Sequence, residues 1–472
     1  MKKLRWINLL LFFVLLWPQG PGYAQQEQPG GPVYVVEAGD TLSSIAQRFG
    51  VSTVELAQVN GITNPNQISE GAQLVIPGLD GIQGFLTTTT VSFGEALKSF
   101  SRRYRISEAL LARLNHLTSP AELYVGSSLV IPVQEQASSG GQRTVLGEGY
   151  TLLELAVGMD SSPWQLVQEN GLRNQWHTLA GDVLHLIGGQ LEGPGALPGE
   201  IKAIAFDSLP LLQGKTSVIR LAGEDGLKLA GSLMEHELNF FMEKPGSYVA
   251  LQGVHAMAET GLYPLTLQGT LADGTTFSFS QRVMVQEVRY PFDRPLEVDP
   301  ATTDPAVTGP EDAQWRSLTV PVTPEKMWAG VFGFPSPLPA AYCLETNECW
   351  SSRFGNRRSY NGSPYNFFHT GLDIVGKEGR EIFAPATGMV VFTGAMTVRG
   401  NATMIDHGWG IYSGYMHQSE ILVEVGDRVE IGQVIGLVGR TGRVEGPHLH
   451  WEVWVGGVQV DPLDWLLNEY PD

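Results

Sequence analysis

The hydrophobic positions of this 472-residue chain fall into distinct regimes. From residue 33 to 188 the pattern repeats with a period of 55. Gly39, Gly94 and Gly149 are in register, as are Leu42, Leu97 and Leu152; Leu56, Leu111 and Leu166; Asn60, Asn115 and Asn170; and Leu74, Leu129 and Leu184. Gapless self-similarity of this extent marks one small module copied three times. In the first copy Val33–Val36 has strand character. Asp40-Thr41 is an N-cap signal ahead of a helical run from Leu42 to Phe49, and a second helix runs from about Thr53 to Gln58. Leu74-Val75-Ile76 is a closing strand, stopped by Pro77. The predicted unit is strand–helix–helix–strand.

A Gly/Pro-rich linker at 189–200 ends this regime. From 201 to 290 apolar and polar residues alternate in Ser217–Leu221, Gly246–Leu251, Leu262–Gln268 and Thr276–Val285, and Asp273-Gly274 sits between the last two as a hairpin turn. Short strands at this spacing predict an antiparallel β-sandwich. It has no chemical constellation, since His236 and His255 lack partners nearby in sequence and read as packing residues. The domain is expected to be a spacer or docking surface. Residues 291–349 are rich in Pro, Asp and Thr and predict a linker or arm that drapes over its neighbours. Such an arm is also placed to cover a groove further along the chain.

Charge and termini narrow the setting. Lys2, Lys3 and Arg5 precede an apolar run from Ile7 to Trp17, and Gly22-Tyr23-Ala24 supplies small residues at a cleavage point. Residues 1–24 therefore read as a secretory signal peptide, with an uncleaved anchor as the alternative. Removing them leaves 27 basic against 49 acidic residues, a net charge of −22. A surface this acidic repels nucleic acid, and no transmembrane segment is expected beyond the signal. Cys343 and Cys349, the only cysteines, suit a local disulfide in an exported protein.

Five of the ten histidines lie between 369 and 450. His448-Leu449-His450-Trp451-Glu452-Val453 reads as a strand, so His448 and His450 face the same side. His369 precedes Asp373 by four residues, on a loop leading into a strand. Two imidazoles and a carboxylate leave a fourth position open on a zinc ion, with a further imidazole available as base. Spacing alone leaves a merely structural histidine pair equally open.

Resemblance adds to this reading. The stretch YVVEAGDTLSSIAQRFGVSTVELAQVNGI…GAQLVIP resembles a LysM domain, a family that binds N-acetylglucosamine-containing glycans. Residues 33–77 match it most fully, and 85–133 and 143–188 resemble degenerate copies. The resemblance implies glycan contacts in two loops, around Gly39, Asp40, Thr41 and Leu42 and around Asn60, Gly61 and Ile62; for Asp40, helix capping is the competing role. Further on, HTGLD, APATGMVVFTG, IDHGWGIYSGYMH, VGDRVEIGQVIGLVGRTGRVEGPHLHWEV and VDPLDWL occur in order. Together they resemble a LytM/lysostaphin-type zinc metallopeptidase over about 120 residues, placed in a domain at 350–472. By position the resemblance implies zinc ligands at His369, Asp373 and His450, and catalytic histidines at His417 and His448. It leaves open which histidine activates water and which steadies the oxyanion. Glu452, on the same strand face as His450, is a candidate partner behind the ligands, with simple exposure as the alternative. His407 reads as a turn residue. The fold class expected is three small βααβ modules, an antiparallel β-sandwich and a mostly antiparallel β C-terminal domain. The function implied is a secreted, cell-wall-associated endopeptidase cutting peptide cross-links of peptidoglycan. A non-catalytic activator of wall amidases is the alternative, and a peptidase of Gly-rich proteins outside the wall is a third reading.

Overall fold

The amphipathic spacing of the first repeat becomes packing in the computed structural model, which describes residues 31–79, 82, 84–104, 106–133, 143–186 and 193–471. The signal segment 1–24 and the first residues of the 189–200 linker lie outside the described residues. Two compact units are described separately, one ending at Leu86 and the other beginning at Thr87.

In the first unit Val33–Val35 pairs antiparallel with Gln73–Val75, with Tyr34 opposite Leu74. Helix Leu42–Phe49 buries Leu42, Ile45, Ala46 and Phe49, the i, i+3, i+4, i+7 stripe, and is followed by helix Thr53–Val59. The N-cap is Thr41, whose hydroxyl accepts the Ser44 N–H while the Ser44 hydroxyl accepts the Thr41 N–H. This corrects the capping role expected of Asp40. Its carboxylate instead accepts the Tyr34 hydroxyl at 2.6 Å and the Glu37 N–H at 3.0 Å, and pairs with Arg48 at 2.9 Å. Burial acts against the charged carboxylate, but these donors and Arg48 hold its pKa below the usual value.

Asn60 shows why an asparagine recurs in each repeat. Its amide donates to the carbonyls of Leu56 and Val75, both at 2.8 Å, and its oxygen accepts the Val75 N–H at 2.7 Å. The side chain thereby ties the end of the second helix to the closing strand. In the second unit Asn115 makes the same three bonds to Leu111 and Val130, and Asn170 makes them to Leu166 and His185. Helices Leu97–Tyr104 and Glu108–Leu114 precede strand Ser128–Val133, and helices Leu152–Gly158 and Pro163–Glu169 precede strand Val183–His185.

Beyond residue 200 two antiparallel layers face one another. One runs in the order His236–Asn239, Lys228–Leu233, Gly261–Thr270, Thr276–Gln286, with Leu211–Leu212 added parallel at its edge. The other runs Phe241–Lys244, Ser247–Gly253, Thr216–Gly223, Ile201–Phe206. Ile219, Leu221 and Tyr248 of the second layer share a core with Leu265, Leu267, Phe277 and Val283 of the first. The hairpin at Asp273-Gly274 pairs Thr270 with Thr276.

The C-terminal sheet is ordered Trp350–Ser352, Leu372–Val375, His448–Val455, Ile411–Ile421, Gly400–Gly408, Gly388–Met396, Arg428–Val429, each pair antiparallel. Leu449, Trp451, Val453 and Val455 point into the main core. The opposite parity, His448, His450, Glu452 and Trp454, faces the other way. Residues 291–349 pack against the C-terminal sheet. Trp328 and Phe332 enter the same core as Trp451 and Trp465, and helix Pro305–Ser317 buries Trp315 completely. Large aromatic side chains anchor this arm as part of the C-terminal fold. Cys343 and Cys349 form the expected disulfide. Among the described residues no helix is long and apolar enough to cross a membrane.

Candidate active site

The His448–Val455 strand sets the site. Asp373 lies directly opposite His450 in the antiparallel register, and Met416 lies opposite it on the other side. Residues directly across a strand pair bring their side chains together. By simple alternation His417 would face away, because its neighbour Met416 shares the His450 face. His417 instead has φ 63°, in the left-handed region, and its ring turns to within 4.9 Å of the His448 ring, centroid to centroid. A non-glycine residue held there is strained by about 1–3 kcal/mol, a cost met at functional sites.

Three atoms converge. His369 Nε2 lies 2.9 Å from Asp373 Oδ1 and 2.9 Å from His450 Nδ1, and His450 Nδ1 lies 2.8 Å from Asp373 Oδ1. The remaining contacts fix which ring nitrogens carry protons. His369 Nδ1 faces the Arg353 carbonyl at 2.9 Å, an acceptor, so it is the N–H and Nε2 is a lone pair. His450 faces a carboxylate at each ring nitrogen, Glu452 at 3.3 Å from Nε2 and Asp373 at 2.8 Å from Nδ1, so an ion held at Nδ1 would leave the N–H on Nε2, toward Glu452. The second Asp373 oxygen accepts from Arg358 at 2.8 Å, leaving Oδ1 for the cluster.

Electrostatics point the same way. Burial alone would raise the Asp373 pKa, but His369 and Arg358 hold it well below the carboxylate range. Glu452, also against its burial, is held down to about 2 by its bond to His450. Burial, with Arg358 adding to it, pulls His369 down to about 4, so its imidazole is neutral. Burial opposes a charged His450, yet Asp373 and Glu452 raise its pKa. Asp373, with one oxygen paired to Arg358, keeps its other oxygen, Oδ1, at the point where the imidazole nitrogens meet. His369, Asp373 and His450 are the group among the described residues whose donor atoms are close enough to share a metal ion. Two imidazoles and a carboxylate are the donor set of a zinc site with an open position.

His417 and His448 stand beside this cluster and outside it. His417 Nδ1 donates to the Thr441 carbonyl at 2.8 Å and His448 Nδ1 to the Gly446 carbonyl at 2.9 Å. Each anchor leaves Nε2 as the acceptor. Burial, with His448 adding to it, keeps the His417 pKa well below its ordinary value, so the ring is neutral near pH 7. His448 Nε2 is 3.6 Å from Asp373 Oδ1. His407 is no turn residue: it lies in strand Gly400–Gly408, buried, bridging the Thr387 carbonyl and the Ser413 hydroxyl. Glycine at 371 is required by close approach, because a Cβ there would sit 2.3 Å from the Trp451 carbonyl oxygen and 2.8 Å from His450 Nε2.

Two hollows meet at the histidines. One, of about 640 Å³, is walled by the arm residues Phe292–Leu296 and the loop around Glu445. The other, of about 320 Å³, is walled by His255, Phe367 and Arg399. Arg358, Tyr360, His417, Arg443 and His450 line both. Among the glycan-contact candidates, Gly39, Thr41 and Gly61 are exposed and Ile62 is half-buried. The Leu42 side chain is in the core at 1% exposure, and the Asn60 amide bonds within the fold. Sequence reasoning missed Arg358, the partner of Asp373, and Trp315, which donates to Glu452 at 3.0 Å.

Comparison with known proteins matches parts of the chain to two families. The Peptidase family M23 model matches residues 367–462, and the LysM domain model matches 34–77 and 89–132. The peptidoglycan DD-endopeptidase ShyA of Vibrio cholerae is 40% identical over 122 residues, 26% of this chain and 28% of that protein. The DD-carboxypeptidase/endopeptidase Mpg of Neisseria meningitidis is 42% identical over 99 residues, 21% of this chain and 23% of that protein. The match thus spans about a quarter of each relative's length. A crystal structure of a Pseudomonas aeruginosa protein assigned to peptidase M23 is 25% identical, covering 55% of this chain and 95% of that one, with a TM-score of 0.41. The chain therefore carries a peptidase family M23 domain and two LysM domains.

Proposed function

We propose that the protein is a secreted zinc metalloendopeptidase that hydrolyses peptide cross-links of bacterial peptidoglycan and is held to wall glycan by its N-terminal modules. The observation that supports it most is the meeting of three potential donor atoms, on His369, Asp373 and His450, beside His417 and His448, whose Nδ1 atoms are each held by a backbone carbonyl. Zinc at this position supplies Lewis acidity, polarising the scissile carbonyl and lowering the pKa of water to about 7. The chain supplies the rest. Of His417 and His448, each held by a backbone carbonyl, one accepts the proton of the attacking water and returns it to the leaving amine while the other stabilises the tetrahedral intermediate. Hollows on both sides of the histidines give room for chain on either side of the cut bond, which suits an endopeptidase.

The same reading takes 33–77, 85–133 and 143–188 as three LysM-type modules, the third supported by the bonds Asn170 shares in kind with Asn60 and Asn115. It takes 201–290 as a β-sandwich spacer. Tethering raises the local concentration of the peptidase on its polymer. The test is digestion of purified peptidoglycan by the full chain, with and without a zinc chelator, read by mass spectrometry of released fragments. New amino termini in cross-links that vanish with chelator are expected. Zinc bound at one equivalent with no new termini, but with stimulation of a wall amidase, would instead support the activator reading.

A further inference from the structure

The arm helix Pro305–Ser317 lies outside the 367–462 match yet reaches the metal site. Its Trp315 is fully buried, and the indole N–H donates to Glu452 Oε2 at 3.0 Å. The other Glu452 oxygen holds His450 Nε2 at 3.3 Å. Trp454 at 2.8 Å and Gln459 at 3.0 Å also donate to this carboxylate, and the Thr370 hydroxyl bonds to it as well. The backbone is shaped to admit the indole: a Cβ on Gly414, opposite Glu452 in the sheet, would lie 2.8 Å from the Trp315 ring. One turn earlier on the helix, Glu311 accepts the backbone N–H groups of Val398 at 2.9 Å and Arg399 at 3.0 Å, and the Arg399 guanidinium at 3.1 Å. The Arg399 carbonyl in turn accepts the His417 N–H at 2.9 Å.

We infer that Trp315 is a positioning residue for the metal site: through Glu452 it fixes the ring orientation and tautomer of His450 that open Nδ1 to the ion. This rests on the metal reading proposed above. A carboxylate behind a ligand histidine orients the ring only if the carboxylate is itself held, and such outer partners govern metal affinity. The helix that supplies the N–H is clamped by Glu311, so an element upstream of the peptidase motifs completes the support of the site.

The test is zinc affinity of the full chain, by competition with a chromogenic chelator, for the native protein, Trp315→Phe and Phe392→Leu. The first keeps a ring in the slot and removes the N–H. The second alters the ring packed edge-on against Trp315 at 5.8 Å without touching Glu452. Outer-partner changes cost about 10–100-fold in affinity, and Trp454, Gln459 and Thr370 remain on Glu452, so Trp315→Phe is expected to weaken zinc binding about tenfold, at the low end of that range. Phe392→Leu should leave it within about twofold, and the visible spectrum of the cobalt(II)-loaded protein should change only in Trp315→Phe. Unchanged affinity in Trp315→Phe, or equal loss in both variants, overturns the inference. Should Trp315→Phe not fold, Glu311→Gln, which loosens the helix but leaves the indole, must weaken zinc binding, and unchanged affinity there overturns it too. Failure of the native chain to bind zinc overturns the metal reading itself, a result separable from the others because no substrate enters the assay.

Discussion

Replacing His448 with alanine is expected to separate catalysis from metal binding. The ring makes one anchoring bond, Nδ1 to the Gly446 carbonyl, and its Nε2 stands 3.6 Å from Asp373 Oδ1, outside hydrogen-bond range. The side chain is 17% exposed at the edge of the larger hollow, so truncation leaves a gap that water can enter. His369, Asp373 and His450 keep all their mutual contacts. Zinc affinity is therefore expected to stay within about threefold, well short of the 10–100-fold expected when a ligand's support is removed. A positioned general acid–base group contributes about 10²–10⁴ in rate, or about 3–5 kcal/mol of barrier at 1.36 kcal/mol per tenfold. The assay is the initial rate of new amino-terminus formation on purified peptidoglycan at saturating zinc, paired with chelator competition on the same preparation. A variant that retains more than about a tenth of native activity would remove His448 from proton transfer. One that loses zinc in step with activity would make it a ligand and break the three-atom assignment.

Further outcomes follow from the same coordinates. Burial holds the His407 pKa at about 4, so between pH 6.5 and 4 the unfolded chain binds a proton that the folded chain does not. Stability should fall by about 3 kcal/mol as pH drops through that window, and His407→Gln should flatten the slope in denaturant unfolding at stepped pH. Gly371→Ala drives a Cβ to 2.3 Å from the Trp451 carbonyl, where backbone cannot yield; a loss of about 1–3 kcal/mol in thermal unfolding together with weakened zinc binding is expected, and an unchanged melting curve would contradict the close approach. Asn60→Ala strands the Val75 N–H and two carbonyls, so hydrogen exchange at Val75 should accelerate by at least about tenfold while peptidase turnover on a soluble peptide is unchanged.

The site was legible where chemistry is local and periodic. The HLHWEV alternation placed His448, His450 and Glu452 on one face, and the register adds that Asp373 lies across from His450. The orientation of His417 was not legible from alternation, because the left-handed backbone at that residue reverses the parity of a strand that otherwise keeps it. The half-buried placement of Asp40 depends on where Arg48 and Tyr34 come to rest, which no local rule specifies. Helix Pro305–Ser317 contains Gly309 and Pro310, both poor helix residues, and its sequence reads as irregular chain. Its Asp304 N-cap, the proline in its first turn and the docking of Glu311 and Trp315 outweigh that preference.

The two hollows flanking the histidines bear on how such a molecule would work through a covalent network. A closed tunnel must be threaded from a free end, and a cross-linked mesh offers few ends. A trough that continues past the cutting point on both sides can settle sideways onto a strand in the middle of the mesh. Each cut then stands alone, unlinked to the one before. Wall material treated this way should loosen throughout before much soluble material leaves it, as a net whose knots are untied at scattered places slackens while still in one piece.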